Sequence, residues 1–138
     1  MKPNNILVAA FLLVIIGVAL AAVYFDDFQG VVPGSIDTNA TFSGNIQYEG
    51  ETRCHSIRVQ ENATRIHCIL TCGGSDFDLY GRLSVTPTTF EYDFRGYESG
   101  GEDLYYDEPA EGIWHLMVRS YSGIGHYDLM IEIEYSSL

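Results

Sequence analysis

Lysine is nearly absent from this 138-residue chain: Lys2 is the only one, and Lys plus Arg total 7 against 19 Asp plus Glu, a formal net charge of −12. That shortage argues against nucleic acid as a partner, because phosphate backbones recruit clustered Lys and Arg. The chain is also too short for two catalytic lobes. Beyond residue 25 no window of helical length carries an apolar stripe repeating every 3.6 residues, which argues against a helical bundle. Nucleophilic catalysis lacks its usual marks. There is no Gly-x-Ser-x-Gly elbow and no His-Glu-x-x-His, and His55, His67, His115 and His126 stand in strand or turn contexts without a partner in sequence. The chain is therefore expected not to be an enzyme. Cysteine is scarce, with Cys54, Cys68 and Cys72 the full set.

What is present is apolar, aromatic and turn-rich: 46% hydrophobic residues, 10 Tyr and 14 Gly, the composition of a packed domain rather than a disordered tail. Residues 6–25 read ILVAAFLLVIIGVALAAVYF, an uncharged run whose helical length matches a hydrocarbon core of roughly 30 Å. Lys2 precedes it and Asp26 and Asp27 follow, so the positive-inside bias places the N-terminus in the cytoplasm and the rest outside. Ala19-Leu20-Ala21 also fits a signal-peptidase site before Ala22, so cleavage after Ala21 is the alternative to a retained anchor. The anchor is favoured, because the apolar run is longer than a signal core and continues through Val23, Tyr24 and Phe25. A third reading packs this helix against protein, in a membrane complex or surface filament. The expected location is the cell membrane, single-pass, with the C-terminal domain extracytoplasmic.

Three segments follow: 1–25, the cytoplasmic N-terminus and transmembrane helix; 26–41, a linker carrying Gly30, Pro33 and Gly34; and 42–138, the folded unit. In the last, apolar and polar residues alternate. Tyr127, Leu129, Ile131, Ile133 and Tyr135 share one face, as do Trp114, Leu116 and Val118, and these two strands are expected to pair as a hairpin across 122–125. His55, Ile57 and Val59 lead through a turn at 60–63 into Ile66, Cys68 and Leu70, a second expected pair. Further strands over 42–48, 77–85, 91–97 and 102–107 bring the count to about eight. The expected fold is all-β, an antiparallel β-sandwich of jelly-roll type behind one transmembrane helix.

Export sets the reading of the remaining residues. Outside the cytoplasm, one disulfide and one leftover thiol are expected. Inward alternation makes Cys68 a buried small hydrophobe and leaves Cys54 with Cys72 as the bridge. Asn39-Ala40-Thr41 and Asn62-Ala63-Thr64 are sequons, so Asn39 and Asn62 are glycosylation acceptors if exposed. Asp76 and Asp78, two apart on one strand, project to one side toward the acids near Glu102 and Asp103; such clustered oxygens suit calcium, and no other cofactor is expected. Tyr92, Tyr97, Tyr105 and Tyr106 are expected on the exterior, where rings stack on sugars or anchor a protein partner.

The runs Ser75-Asp76-Phe77-Asp78-Leu79-Tyr80, Pro87-Thr88-Thr89, Glu91-Tyr92-Asp93, Gly112-Ile113-Trp114-His115-Leu116-Met117-Val118, Tyr121-Ser122-Gly123 and Gly125-His126-Tyr127-Asp128-Leu129 together resemble the bacterial and archaeal pre-peptidase C-terminal domain. The resemblance covers about residues 42–135. It implies a small, non-catalytic β-sandwich of secreted proteins that in some relatives binds a polymer or calcium. Two departures stand out: no peptidase domain precedes the module, and the three cysteines are not part of the family pattern. The whole reads as a non-enzymatic, membrane-anchored module that meets an extracellular protein, polysaccharide or other envelope component.

Overall fold

The computed structural model describes residues 38–137. They form eight strands: β1 (Asn39–Ile46), β2 (Thr52–Val59), β3 (Ala63–Cys72), β4 (Asp76–Leu83), β5 (Phe94–Gly96), β6 (Glu102–Asp107), β7 (Gly112–Ser122) and β8 (Gly125–Tyr135). Two four-stranded sheets face each other, one ordered β1-β8-β3-β6 and the other β2-β7-β4-β5. Every pairing is antiparallel. The expected all-β sandwich therefore forms. The anchor or signal segment over 6–25 and residues 26–37 of the linker lie outside the described residues, and β1 begins at Asn39, ahead of the expected start at 42.

Both expected hairpins are corrected. β2 does not pair with β3, nor β7 with β8: Ile57 lies opposite Trp114, while Cys68 lies between Ile131 and Leu104. Among the described strands, every connection except β4 to β5 crosses from one sheet to the other. The cause is burial. A strand with one apolar face must set it against another, and crossing to the opposing sheet turns consecutive apolar faces toward each other, whereas a hairpin leaves both on one side.

The alternation itself places the core as expected. Ile66, Cys68 and Leu70 of β3 and Tyr127, Leu129, Ile131 and Ile133 of β8 meet Phe77 and Leu79 of β4 and Trp114, Leu116 and Val118 of β7. Each large side chain so buried contributes roughly 1.5–3 kcal/mol. The two largest also satisfy their polar atoms: the Trp114 indole N–H donates to the Ala110 carbonyl at 2.9 Å, and the Tyr127 hydroxyl lies 2.8 Å from His55 Nε2. At the β4–β5 pair, Gly81 leaves room for the Phe94 ring, which any Cβ there would overlap. That close approach carries Phe94 onto Trp114 and Tyr106, with ring centroids 6.0 and 5.1 Å away. Tyr106 is accordingly turned inward and half-buried, in place of the exterior position expected for it.

The cysteines follow the same geometry. All three are free thiols, and the expected Cys54–Cys72 bridge is not made. Cys54 takes the outward alternation of β2 in one sheet, whereas Cys72 takes the inward alternation at the end of β3 in the other, against the core. Cys68 is fully buried, as its inward position requires.

Candidate functional site

The antiparallel order gathers the connections 47–51, 73–75, 97–101 and 123–124 at one end of the sandwich, and 60–62, 84–93 and 108–111 at the other, where the chain arrives at Thr38. The first end is closed by glycines in left-handed conformations, Gly50 at φ 83, Gly74 at φ 84, Gly100 at φ 101 and Gly123 at φ 85. Glycine takes these values without steric penalty, so four tight turns converge there. Their tips display Tyr48, Tyr97 and Ile124, exposed by 64, 65 and 59%, and Tyr121 at the adjoining end of β7 is exposed by 66%.

A cavity of about 310 Å³ opens beside these tips, lined by Asp76, Asp78, Arg95, Tyr97, Ser99 and Tyr121. Its floor comes from β4. Phe77 and Leu79 face the core, so Asp76, Asp78 and Tyr80 face outward. Outward residues are usually wet, but Asp78 and Tyr80 are only 5 and 2% exposed. The cover is Arg95 of β5, whose guanidinium lies 4.2 Å from the Tyr97 ring centre, 5.7 Å from Tyr80 and 5.9 Å from Tyr92. Three rings around one cation hold the strand down. Arg95 Nε is nonetheless buried with no acceptor.

Hydrogen bonds tie the 97–101 turn to this floor. Asp76 Oδ1 accepts the Gly100 N–H at 3.0 Å, the Phe77 N–H donates to the Gly100 carbonyl at 3.0 Å, and the Cys72 thiol donates to the same carbonyl at 3.2 Å. Asp78 accepts the Tyr80 hydroxyl at 3.2 Å. Burial pushes the Asp78 carboxyl above its ordinary pKa and Asp76 adds to this; the Tyr80 bond and the charges of Arg95 and Arg119 oppose it.

Glu102 is 4% exposed on the inward face of β6, and its Oε1 has no hydrogen-bond partner. Its carboxyl packs over β5, where a Cβ on Gly96 would lie 2.5 Å from Oε2. Burial first, and then the charges of Asp78, Glu98 and Asp76, push its pKa up to about 7, against a backbone hydrogen bond from Glu98.

The structure thus brings together Asp76 and Asp78 in the cleft, with Glu102 close enough to feel both charges. It does not bring Asp103 with them. Neighbours on a strand point apart, and Asp103 lies on the outer face of the other sheet, 2.7 Å from His67 Nε2. Among the described residues no group of three or more His, Cys, Asp or Glu side chains is placed to hold a metal ion, so the expected calcium ligands do not form one set. Asn39, at the start of β1, and Asn62, in the 60–62 turn at φ 66, are both exposed at the end away from the cleft.

Each histidine has a local partner: His55 the Tyr127 hydroxyl, His67 Asp103, His126 Asp128 at 3.2 Å, and His115 Nδ1 the Ser56 hydroxyl at 3.0 Å. His67 also stacks on Tyr105 at 4.1 Å. Sequence reasoning misses Arg95 and Ser99, which sit in or beside a strand of only three residues whose alternation is too short to read. Tyr97 and Tyr121 carry a signal only as part of a general richness in tyrosine.

No family model matches this sequence, and no curated protein emerges as a relative. Solved structures share its fold. A periplasmic inhibitor of g-type lysozyme from Aeromonas hydrophila superposes with a TM-score of 0.55 at 15% identity, over 76% of this chain and 92% of that one. The pre-peptidase C-terminal domain of a collagenase from Bacillus anthracis superposes with a TM-score of 0.52 at 19% identity, over 68% of this chain and 89% of that one. The chain therefore has the fold of a pre-peptidase C-terminal domain, as its motifs imply, and shares that fold with a protein inhibitor.

Proposed function

We propose that this chain is a non-enzymatic binding module displayed outside the cytoplasm, with residues 6–25 as its membrane anchor. It docks on an extracellular partner or envelope component through the turn-lined end of the sandwich. The observation that carries this reading is the cleft over Asp76 and Asp78 with Tyr97 and Tyr121 standing exposed in its lining. Exposed aromatic side chains on a rigid scaffold bury large area at little conformational cost, which is how binding loops gain affinity. The likeness to a lysozyme inhibitor and to a pre-peptidase C-terminal domain supports a fold that serves recognition. Glycans at Asn39 and Asn62 would occupy the far end and leave the cleft open.

The test is retention of the detergent-solubilised full chain by an envelope fraction from its own source cells. Tyr97→Ala with Tyr121→Ala is expected to lower retention by about tenfold or more. Unchanged retention, together with its loss in Tyr105→Ala on the outer face of the other sheet, would move the docking surface and refute the assignment.

A further inference from the structure

The cleft holds charges of both signs, and that narrows its ligand. A cation would pair with Asp76 and Asp78 but would meet Arg95, whose guanidinium already lies against the Tyr97 ring at 4.2 Å. An anion would pair with Arg95 but would meet two carboxylates, one of them only 5% exposed. A neutral polyhydroxyl group meets neither penalty. Each sugar hydroxyl both donates and accepts, so one ring can donate to Asp76 and Asp78 and accept from Ser99 and from the Arg95 guanidinium, all of which line the cleft. The C–H face of the same ring is apolar and lies flat on an aromatic side chain. Tyr121, 66% exposed in the cleft lining, offers that surface.

The size agrees. A volume of about 310 Å³ sits at the lower end of the range for small-molecule sites, roughly 300–1,000 Å³, which suits a terminal sugar unit rather than the interior of a long chain. The floor is also preformed. Asp76 is held by the Gly100 N–H at 3.0 Å, Asp78 by the Tyr80 hydroxyl at 3.2 Å, and Arg95 by three rings, so little ordering is left to the moment of binding.

We infer that the cleft lined by Asp76, Asp78, Arg95, Ser99, Tyr97 and Tyr121 is a binding site for a neutral, terminal sugar of an extracellular glycan. The inference rests on the docking reading above and names the chemistry of its partner.

Ligand-observed saturation-transfer NMR on the full chain, held in a sugar-free detergent such as dodecylphosphocholine, tests it. The probes are the methyl glycosides of glucose, galactose, mannose and N-acetylglucosamine, with N-acetylneuraminic acid and hexalysine as the charged counterparts. At least one neutral glycoside is expected to bind, with both charged probes weaker, and Tyr121→Ala and Ser99→Ala are each expected to weaken it by about threefold to tenfold. Both residues are exposed, so the variants should keep the wild-type unfolding temperature. Hexalysine binding without glycoside binding would overturn the sugar assignment and leave a cation-binding docking site. Glycoside binding indifferent to both substitutions would also overturn it, by placing the sugar elsewhere. No probe binding, with envelope retention still lost in the Tyr97 and Tyr121 variants, would refute the sugar and keep the docking surface. Loss of both results would refute the two readings together.

Discussion

Burial of Glu102 makes the folded state of this domain less stable as pH rises toward neutrality, and Glu102→Gln isolates that contribution. The side chain is 4% exposed, one carboxylate oxygen has no partner, and burial with the charges of Asp78, Glu98 and Asp76 holds its pKa at about 7 against an ordinary 4.5. The folded state therefore keeps a proton that the unfolded chain gives up. Below the unfolded value both states are protonated and the residue costs nothing. As pH rises from about 4.5 to 7 the unfolded state ionises first, and folding stability falls throughout that window. The full loss is the difference between the two values multiplied by about 1.36 kcal/mol per pH unit, or roughly 3 kcal/mol. Glutamine has the same shape and no proton to lose. Urea midpoints of the wild-type and Glu102→Gln full chains, measured from about pH 4 to pH 9 at constant ionic strength, should run together at the acid end. They should separate by roughly 3 kcal/mol above neutrality, with the variant more stable. Acids far from Glu102 contribute alike to both proteins and drop out of the difference, whereas Asp76, Asp78 and Glu98, whose charges act on Glu102, stay within the separation that is read. Parallel curves across the whole range would show that Glu102 ionises as readily folded as unfolded, and the account of its burial would fail.

Two further perturbations probe the fold. Without reductant, denatured protein should take up label at Cys54, Cys68 and Cys72; under native conditions the exposed Cys54 should react first, and the fully buried Cys68, its thiol pushed up to about 12, only on unfolding. Two thiols missing from the denatured count would restore the disulfide and contradict the outward and inward alternation of Cys54 and Cys72. Gly81→Ala should force the Phe94 ring off its position and destabilise the domain by about 1–3 kcal/mol, read as a lowered unfolding temperature. An unchanged temperature would mean that β5 is free to shift, and the cleft floor with it.

The parts of the fold that are legible in the amino-acid sequence are those written in one strand at a time. Tyr127, Leu129, Ile131 and Ile133, or Trp114, Leu116 and Val118, alternate with polar neighbours, and a period of two has one physical reading when one face is dry. Partner choice is different in kind. Nothing local in 60–63 or 122–125 tells a hairpin from a crossing to the opposite sheet, because both need a tight turn rich in glycine or polar residues. The expected disulfide fails through the same ambiguity, since only a pairing of β2 with β3 would set Cys54 near Cys72.

The candidate site divides along the same line. Asp76 and Asp78 are readable as a same-side pair from their spacing, and the structure keeps them together in the cleft. Asp103 groups with Glu102 by adjacency in sequence, yet adjacency on a strand sends one into the interior and the other to His67. Arg95 carries no signal at all, for its role depends on Tyr80 and Tyr92 as much as on Tyr97 beside it.

Composition and alternation are therefore sufficient for the class of the molecule: an acidic, tyrosine-rich β-sandwich with its apolar side chains on the faces where they are found. They carry that information because burial is a one-residue property, decided by whether a side chain points in or out. Which strands lie side by side, which acid shares a cleft with which arginine, and which buried carboxylate is left without a partner are properties of pairs distant in sequence. The closing of two sheets over a common core sets those pairs, and so only the tertiary structure places the cleft between β4, β5 and β7.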